Sequence, residues 1–277
     1  MKFTKVEGSG NHFILLDLIT YPDSELKLNT TKISALCNPY FGIGADGILL
    51  VKKQLTSDDL SKINSNISSH FEMIVFNADG SLAEMCGNGL RCVVHYLNIH
   101  HQFLTMQEPV KHILTGAGLL EVRILPNDGH KETLIGVNMG WPDLKEPVEI
   151  ADNSFSKYSF GNPHIVTYKP EHFIHREVLG PQWAKQVIGG INISFAHKLD
   201  ESNIKLHVHE RGCGWTQACG TGACASVFQG YQDGSFKIGQ TIHVHLPGGK
   251  LDIELTKKGL IMWGPAREVF SGYSLLD

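Results

Sequence analysis

Apolar and polar residues alternate in two matching segments of the chain, and a helical pattern follows each segment. Alternation predicts a half-buried strand, whereas apolar residues spaced three and four apart predict one buried face of a helix. The strand positions are Phe71, Met73 and Val75 in the first segment and Ile204, Leu206 and Val208 in the second. The helix positions are Leu90, Val93, Val94 and Leu97, then Cys224, Val227, Phe228 and Tyr231. The order strand, loop, helix is therefore predicted twice.

The two segments are related by a constant offset of 133 residues, because Cys86 and Cys219 hold the same place before each predicted helix. Each cysteine opens a Cys-Gly-x-Gly motif, and Asn77 coincides with Glu210 under the same offset. A Gly-Asn pair before an apolar strand, a glycine-led strand and a turn containing Trp and Pro also occur twice, in the same order. The chain is therefore predicted to contain two homologous halves, 1–127 and 128–259.

Short strands with Gly, Pro and Asn turns predominate in the rest of the chain. They are predicted at Thr4–Val6, Leu49–Val51, Leu134–Asn138 and Thr241–Leu246, with weaker helices at Thr30–Cys37 and Glu177–Val187. This pattern predicts an α+β fold with antiparallel sheets wrapped on a helix, rather than strict βαβ alternation. The polar segment Lys52–His70 is interpreted as an exposed loop or short surface helix without a chemical role.

Composition narrows the class of protein. The chain has 277 residues, of which 42% are hydrophobic and 19% charged, and its formal net charge is -4. This length and apolar content are enough for one large or two medium domains. Lys and Arg form no long cluster, so neither nucleic acid nor a membrane is expected as a partner. The first eleven residues carry charges and no apolar run, so we expect no signal peptide and a cytoplasmic protein. Six cysteines in such a chain indicate thiols rather than a disulfide scaffold.

Each Cys-Gly motif places a thiol at the N-terminus of a predicted helix, where unpaired N–H groups and the helix dipole favour negative charge. Such a cysteine can have its pKa lowered from about 8.5 to about 3.5–7.5. The same N–H groups bind a carboxylate, and Gly87 and Gly220 allow its close approach. Two thiols can remove a Cα proton on one face and return it on the other. No pyridoxal lysine or Rossmann loop stands out, so this two-base reaction is predicted to need no cofactor.

Longer motifs surround these residues: Gly8–Asn11, Phe76–Ser81, Met85–Cys92, Gly161–His164, Glu210–Gly212, Gln217–Cys224 and Leu246–Gly249. With them the chain resembles the diaminopimelate epimerase family essentially from end to end. The resemblance implies two pseudo-symmetric domains, each a mainly antiparallel sheet rolled around a central helix, with the active site in the cleft between them. It also implies that the C-terminal strand, 260–277, belongs to the first domain.

The resemblance implies the site residues as well. Cys86 and Cys219 would be the acid/base pair of an isomerase that interconverts LL- and meso-2,6-diaminopimelate, and His164 and Glu210 would tune the thiols. The implied substrate-binding residues are Asn11, Gly47, Asn77, Gly87, Asn88, Asn162, Asn192, Glu210, Arg211, Gly220 and Thr221. Family members are cytoplasmic homodimers that use no cofactor or metal and supply lysine and peptidoglycan precursors. This chain departs from the family at His12, where Asp is common, and at Trp215, where Glu or a small residue is usual.

Two alternatives stay open. The first is a racemase of the same fold for glutamate or proline, although the proline-racemase relatives typically carry His where this chain has Asn88. The second is a thiol protein that binds metal or senses redox state, because His207, His209, Cys213, Cys219 and Cys224 are close in sequence. Their spacing does not match the C-x2-C pattern of structural zinc. Cys92 and Cys224 are expected to pack in the core.

Overall fold

The computed structural model describes residues 1–22, 28–53, 71–105, 107–125 and 134–275. The polar segment predicted at Lys52–His70 lies outside these residues from position 54 onward. The chain forms two compact units, which are Met1–Val137 with the C-terminal segment from Pro265, and Asn138–Gly264. The domain boundaries predicted above, after residues 127 and 259, stay a prediction.

The first unit begins with strands β1 to β8, the last of which continues into the second unit, and it also includes strand β18. The strands are β1 (Lys2–Gly8), β2 (Asn11–Asp17), β3 (Gly47–Lys53), β4 (Phe71–Asn77), β5 (Leu82–Ala83), β6 (Val110–Thr115), β7 (Gly118–Ile124), β8 (Ile135–Gly140) and β18 (Arg267–Tyr273). The helices are α1 (Thr30–Cys37) and α2 (Gly87–His101).

The second unit contains strands β9 to β17 and helices α3 to α5 in its described part. The strands are β9 (Asp143–Ile150), β10 (Asn153–Ser159), β11 (Pro163–Thr167), β12 (Asn192–Lys198), β13 (Asn203–Glu210), β14 (Gly214–Trp215), β15 (Thr241–Leu246), β16 (Gly249–Thr256) and β17 (Gly259–Gly264). The helices are α3 (Pro170–Ile174), α4 (Arg176–Ala184) and α5 (Gly220–Gln232).

Strand pairing follows one scheme in both units. β1 pairs antiparallel with β2, β2 parallel with β3, and β3 antiparallel with β4. β10, β11, β12 and β13 repeat these three pairings. After the central helix, β6 pairs parallel with β4 and antiparallel with β7, as β15 does with β13 and β16. The shared topology confirms the predicted duplication.

The strand register defines which residues of the two units correspond. Phe13 lies opposite Gly47 in the first unit, and His164 lies opposite Asn192 in the second. Phe13 and His164 are therefore equivalent, and so are Gly47 and Asn192. Two residues further along β3 and β12, Leu49 corresponds to Ser194 by the same register.

A buried helix occupies the core of each unit. Every residue of α2 from Gly87 to Val94 is buried, and the helix contacts β1 to β4 and β18. In α5 almost all residues from Gly220 to Phe228 are buried, and this helix contacts β11, β12, β16 and β17. A helix buried on all sides needs apolar partners all round. The α+β fold predicted above, with sheets rolled around a central helix, is confirmed.

Of the two helices predicted from weaker patterns, one has the predicted bounds and the other ends earlier. The helix at Thr30–Cys37 is confirmed, and the Asn29 side chain caps it by accepting from Lys32 N. The predicted helix Glu177–Val187 is wrong at its end, because α4 stops at Ala184 and Lys185 and Gln186 turn back to the Trp183 carbonyl. Within the described residues, no helix is both long and apolar enough to cross a membrane.

Candidate active site

Cys86 is the N-cap of α2, with an extended backbone at φ -139° and ψ 111°. Its Sγ accepts a hydrogen bond from the Gly89 N–H at 3.4 Å, so the sulfur occupies the place that a Ser or Asp oxygen usually takes in a cap. The side chain is only partly buried. The prediction that the Cys-Gly motif puts a thiol at a helix N-terminus is thereby confirmed for the first unit.

The Gly-Asn loop brings Asn11 to this thiol. Asn11 Oδ1 lies 3.9 Å from Cys86 Sγ, and Asn11 Nδ2 donates to Asp46 Oδ2 at 2.6 Å. The same Asp46 oxygen accepts from the His12 N–H at 2.9 Å. His12 Nδ1 in turn accepts from Lys5 Nζ at 3.1 Å. His12 therefore belongs to the support of the Asn11 loop.

Gly47 and Asn77 face each other across the antiparallel pair β3 and β4. A Cβ at Gly47 would collide with the Phe76 carbonyl oxygen, so the glycine lets the two strands approach at this point. Asn77 Nδ2 donates to Ser81 Oγ at 2.9 Å, and Asp79 Oδ1 accepts from Ser81 Oγ at 2.6 Å. These contacts orient Asn77 at the end of its strand, beside the β4–β5 turn.

The first turns of α2 are hydrogen-bonded to the loop Gly8–Asn11 through Arg91. Asn88 is buried and its Oδ1 has no hydrogen-bond partner among the described residues. Arg91 is completely buried, and it donates from Nη2 to Ser9 Oγ at 3.0 Å and from Nε to the Pro265 carbonyl at 3.3 Å. Arg91 thus fixes the loop that carries Asn11. The sequence motif Met85–Cys92 contains Arg91 but did not predict this role.

Cys219 is the N-cap of α5 and repeats the geometry of Cys86, with φ -130° and ψ 105°. Its Sγ accepts from the Gly222 N–H at 3.4 Å and lies 3.5 Å from Thr221 Oγ1. Only 4% of the residue is exposed. Burial, and then the charge of Glu210, raise the pKa of Cys219 well above its ordinary value. The expectation of a lowered pKa is wrong for this thiol, because loss of hydration outweighs the helix N-terminus.

His164 links Asn162 to the Cys219 loop. His164 Nε2 lies 3.1 Å from Asn162 Oδ1 and 2.9 Å from Thr221 Oγ1, and Asn162 Nδ2 lies 3.4 Å from Thr221 Oγ1. Burial lowers the pKa of His164 to about 3, so the imidazole is neutral. The structure thus brings His164 and Asn162 together with Thr221, and through its hydroxyl with Cys219.

Asn192 and Arg211 lie near each other at the ends of β12 and β13. Asn192 is buried, donates to the Pro163 carbonyl at 2.9 Å and accepts from the Arg211 N–H at 2.9 Å. The Arg211 side chain is exposed, and Nη1 donates to the Gly189 carbonyl at 3.4 Å. A Cβ at Gly190 would lie 2.6 Å from Arg211 Cγ, so this glycine makes room for the arginine stem. The guanidinium remains available for a carboxylate.

Glu210 ends β13, and its Oε1 accepts a hydrogen bond from Thr216 Oγ1. Trp215, which precedes Thr216, packs edge-on against His209 and tilted against Phe195. The partly buried tryptophan therefore packs the short strand β14 against the core of the second unit. Neither Thr216 nor Asp46 was predicted, because a single polar residue in a loop gives no periodic signal and is identified only by the partner it contacts.

The histidines considered for a metal site pack against aromatic rings. His207 packs against Phe173, and His209 packs against Trp215. In the part of the chain that the structure describes, no three His, Cys, Asp or Glu side chains form a group that could hold a metal ion. Cys92 and Cys224 are buried in the central helices, as expected.

Solved structures of similar fold include epimerases and phenazine biosynthesis proteins. A predicted epimerase from Pseudomonas aeruginosa superposes with a TM-score of 0.69 at 11% identity, covering 100% of this chain and 99% of that one. A hydroxyproline epimerase from Agrobacterium vitis, with bound trans-4-hydroxy-L-proline, gives 0.68 at 15% identity, covering 100% and 93%. At these identities the similarity defines the fold class alone.

The family follows from closer relatives. Residues 3–145 and 157–269 match the family model described as diaminopimelate epimerase. The chain is 36% identical to the diaminopimelate epimerase of Halothermothrix orenii, over 98% of this chain and 97% of that protein. It is 35% identical to that of Acinetobacter baylyi, over 98% and 96%. The chain belongs to the diaminopimelate epimerase family and is therefore an isomerase, which confirms the resemblance seen in the sequence.

Proposed function

We propose that this protein interconverts LL- and meso-2,6-diaminopimelate by a two-base mechanism in which Cys86 and Cys219 act on one α-carbon. One observation carries the proposal. Each unit presents a cysteine Sγ as the N-cap of its central helix, within the same Cys-Gly-x-Gly motif. The relatives that are 35–36% identical over nearly the whole chain are named diaminopimelate epimerases, which supports this substrate over other amino acids.

In the proposed reaction one cysteine enters as thiolate and the other as thiol. The thiolate removes the Cα proton and becomes a thiol, and the electron pair of the broken C–H bond is delocalised into the α-carboxylate. The other cysteine donates its proton to the opposite face of Cα and becomes a thiolate. No proton is gained or lost overall, and the two cysteines have exchanged protonation states. The raised pKa of Cys219 supports the thiol as its resting form.

Stabilising the negative charge that develops on the carboxylate is the main energetic task, because a Cα–H is a weak acid. Backbone N–H groups at the first turns of α2 and α5 are proposed to donate to the carboxylate oxygens, with Gly87 and Asn88 in one loop and Gly220 and Thr221 in the other. Preorganised donors of this kind typically contribute about 3 kcal/mol each to a transition state. Asn11, Gly47 and Asn77 are proposed to bind substrate alongside.

The distal amino-acid end is proposed to contact Asn162, Asn192, Glu210 and Arg211. The exposed guanidinium of Arg211 supports binding of the second carboxylate, because its fork matches a carboxylate in two parallel hydrogen bonds. Arg211→Lys is expected to raise KM for diaminopimelate more than it lowers kcat.

We further propose that the protein works in the cytoplasm as a homodimer, without a cofactor, in lysine and peptidoglycan-precursor biosynthesis. Analytical ultracentrifugation of the purified protein tests the dimer. A sedimentation coefficient of a 30.6 kDa monomer at micromolar concentration would remove the dimer from this proposal and leave the chemistry in place.

The decisive experiment follows α-proton exchange in heavy water by NMR, with LL- and meso-diaminopimelate as substrates. Cys86→Ala and Cys219→Ala are each expected to lower epimerisation by about 10²–10⁴-fold, because each removes one acid/base group. Cys213→Ala, at an exposed cysteine, is the matched control. Full activity in either single variant would refute the two-base mechanism. Exchange into glutamate, proline or hydroxyproline but not into diaminopimelate would refute the substrate.

A further inference from the structure

Trp215, one of the two positions at which this chain departs from the family pattern, packs against helix α4 at a glycine. A Cβ at Gly180 would lie 2.8 Å from Trp215 Cζ2 and 3.1 Å from Cη2, and Cβ atoms essentially never come within 3.0 Å of another heavy atom. Gly180 is buried inside α4, where glycine is a poorer helix former than alanine. The close approach of the indole ring is the physical reason for a glycine at this place.

Helix α4 leads into the turn that receives the Arg211 side chain. The helix ends at Ala184, and in the turn after it the Gly190 N–H donates to the Val187 carbonyl at 2.9 Å. Arg211 Nη1 donates to the Gly189 carbonyl at 3.4 Å, and a Cβ at Gly190 would lie 2.6 Å from Arg211 Cγ. The position of α4 against β13 therefore determines where the guanidinium of Arg211 lies.

The backbone of Trp215 lies beside the other charged residue proposed for the distal amino-acid end. In the pair β13 and β14, Gly214 lies opposite Glu210 and directly precedes Trp215. Thr216, which follows Trp215, donates from Oγ1 to Glu210 Oε1. The ring of one residue thus contacts the helix that leads to Arg211, and its backbone connects the two residues that contact Glu210.

We propose that Trp215, seated against Gly180, is a positioning residue that sets the spacing between α4 and β14 and thereby places Arg211 and Glu210. The consequence for substrate binding rests on the proposed function, in which these two residues bind the distal amino-acid end. The packing relation does not rest on it, because it concerns the protein alone. A change at the contact is expected to affect binding of the distal end more than proton transfer at the α-carbon.

The first test adds one methyl group to the contact. Gly180→Ala forces α4 and the Trp215 ring apart, and the displaced guanidinium of Arg211 then meets the distal carboxylate in poorer geometry. KM for diaminopimelate is expected to rise about tenfold, with kcat lowered by less than about threefold. Because alanine is the better helix former, helix propensity alone would leave KM unchanged. A wild-type KM in this variant would contradict the positioning role.

The second test asks whether a smaller ring compensates for the added methyl group. Trp215→Phe leaves space beside Gly180 and is expected to raise KM about fivefold, because α4 can then shift. In the double variant, Gly180→Ala with Trp215→Phe, the methyl group fills that space, and KM is expected to return to within about threefold of the wild type. Losses that simply add in the double variant would show that the two residues do not act through one contact, and would overturn the proposal.

Gly230→Ala is the matched control, because it also forces a methyl group against an aromatic ring in the second unit. Gly230 is buried near the C-terminal end of α5, and a Cβ there would collide with the Phe236 ring. This variant is expected to lower the urea midpoint of unfolding and to keep KM within about twofold of the wild type. A rise in KM as large as that of Gly180→Ala would mean that KM follows general loss of packing, and the specific role of Trp215 would fail.

Amide hydrogen exchange measured by NMR without substrate separates this inference from the proposed function. The Arg211 N–H donates to Asn192 Oδ1 at 2.9 Å, and the Gly190 N–H donates to the Val187 carbonyl. Both amides are expected to exchange about tenfold faster in Gly180→Ala and at the wild-type rate in the double variant. Unchanged exchange in a folded Gly180→Ala would refute the inference. These exchange shifts in a protein that does not epimerise diaminopimelate would refute the proposed function and leave the packing relation standing.

Discussion

Cys86 and Cys219 have the same backbone surroundings and different chemical surroundings. Both are helix N-caps whose sulfur accepts from the N–H three residues later at 3.4 Å. Cys86 is partly exposed and lies beside the neutral Asn11, whereas Cys219 is buried and lies beside the anionic Glu210. The comparison teaches that a helix N-terminus alone does not decide the state of a thiol, because burial and a nearby charge can exceed its effect.

The two units also differ in the side chains around the second glycine of each Cys-Gly-x-Gly motif. A Cβ at Gly222 would lie 3.2 Å from both Cys219 Sγ and Ser194 Oγ, while the corresponding Gly89 faces Leu49 Cδ2 at 2.9 Å. The space around the first glycine is therefore lined by the apolar Leu49, and that around the second by Val208 and by the completely buried hydroxyl of Ser194. Duplication has kept the strand and helix framework, and the side chains around each sulfur have diverged within it.

The largest expected difference in stability concerns Trp215 and Leu82, which correspond under the 133-residue offset. Trp215 packs against Phe195 and His209, whereas Leu82 is 68% exposed. Trp215→Ala is expected to lower the free energy of unfolding by about 3 kcal/mol, because it leaves a cavity. Leu82→Ala is expected to change it by less than about 0.5 kcal/mol. Urea denaturation measures both, and equal losses would contradict the assigned packing.

The next difference concerns pH and compares His164 with its equivalent, Phe13. The pKa of His164 is about 3 in the folded protein, against an ordinary value of 6.5, so the unfolded state binds the proton first as the pH falls. Stability is complete above pH 6.5 and is lost as the pH falls toward 3. Between pH 7 and pH 5 this histidine is expected to cost about 2 kcal/mol.

His164→Phe is the control for that prediction. Other, partly buried histidines, among them His207 and His209, have lowered pKa values and remain in the variant. The difference between the two proteins in urea midpoint at pH 7 and at pH 5 therefore isolates His164. An identical pH dependence in wild type and variant would mean that His164 titrates normally in the folded protein.

The smallest expected effect compares the hydroxyls that orient Asn77 and Glu210. Thr216→Val removes the donor to a carboxylate and is expected to lower kcat/KM by about tenfold, with Thr216→Ser close to wild type. Ser81→Ala removes a contact to a neutral amide and is expected to lower kcat/KM by about fivefold or less. Steady-state kinetics measures both losses. A larger loss in Ser81→Ala than in Thr216→Val would contradict the expectation that the hydrogen bond to the charged Glu210 contributes more than the hydrogen bond to the neutral Asn77.

The duplicated framework was predictable from the sequence because strands and helices leave periodic signals. The period of two in β4 and β13 and the spacing of three and four in α2 and α5 identified the repeated order. The Cys-Gly motif located the start of each helix, because it stands directly before the helical pattern. A side chain at that place faces the unpaired N–H groups of the first helical turn. The end of α4 was misplaced, because helix ends depend on a few local hydrogen bonds rather than on periodicity.

Pairwise relations between residues distant in the chain were decided only by the tertiary structure. Asp46 reaches Asn11 across 35 positions, and His164 reaches Thr221 across 57. The raised pKa of Cys219 likewise depends on burial, which the folded chain creates around it. The sequence by itself determined the two units, their central helices and the thiol at the start of each. Tertiary structure decided what each sulfur faces, because a hydrogen bond or a desolvated charge exists only where folding brings two groups together.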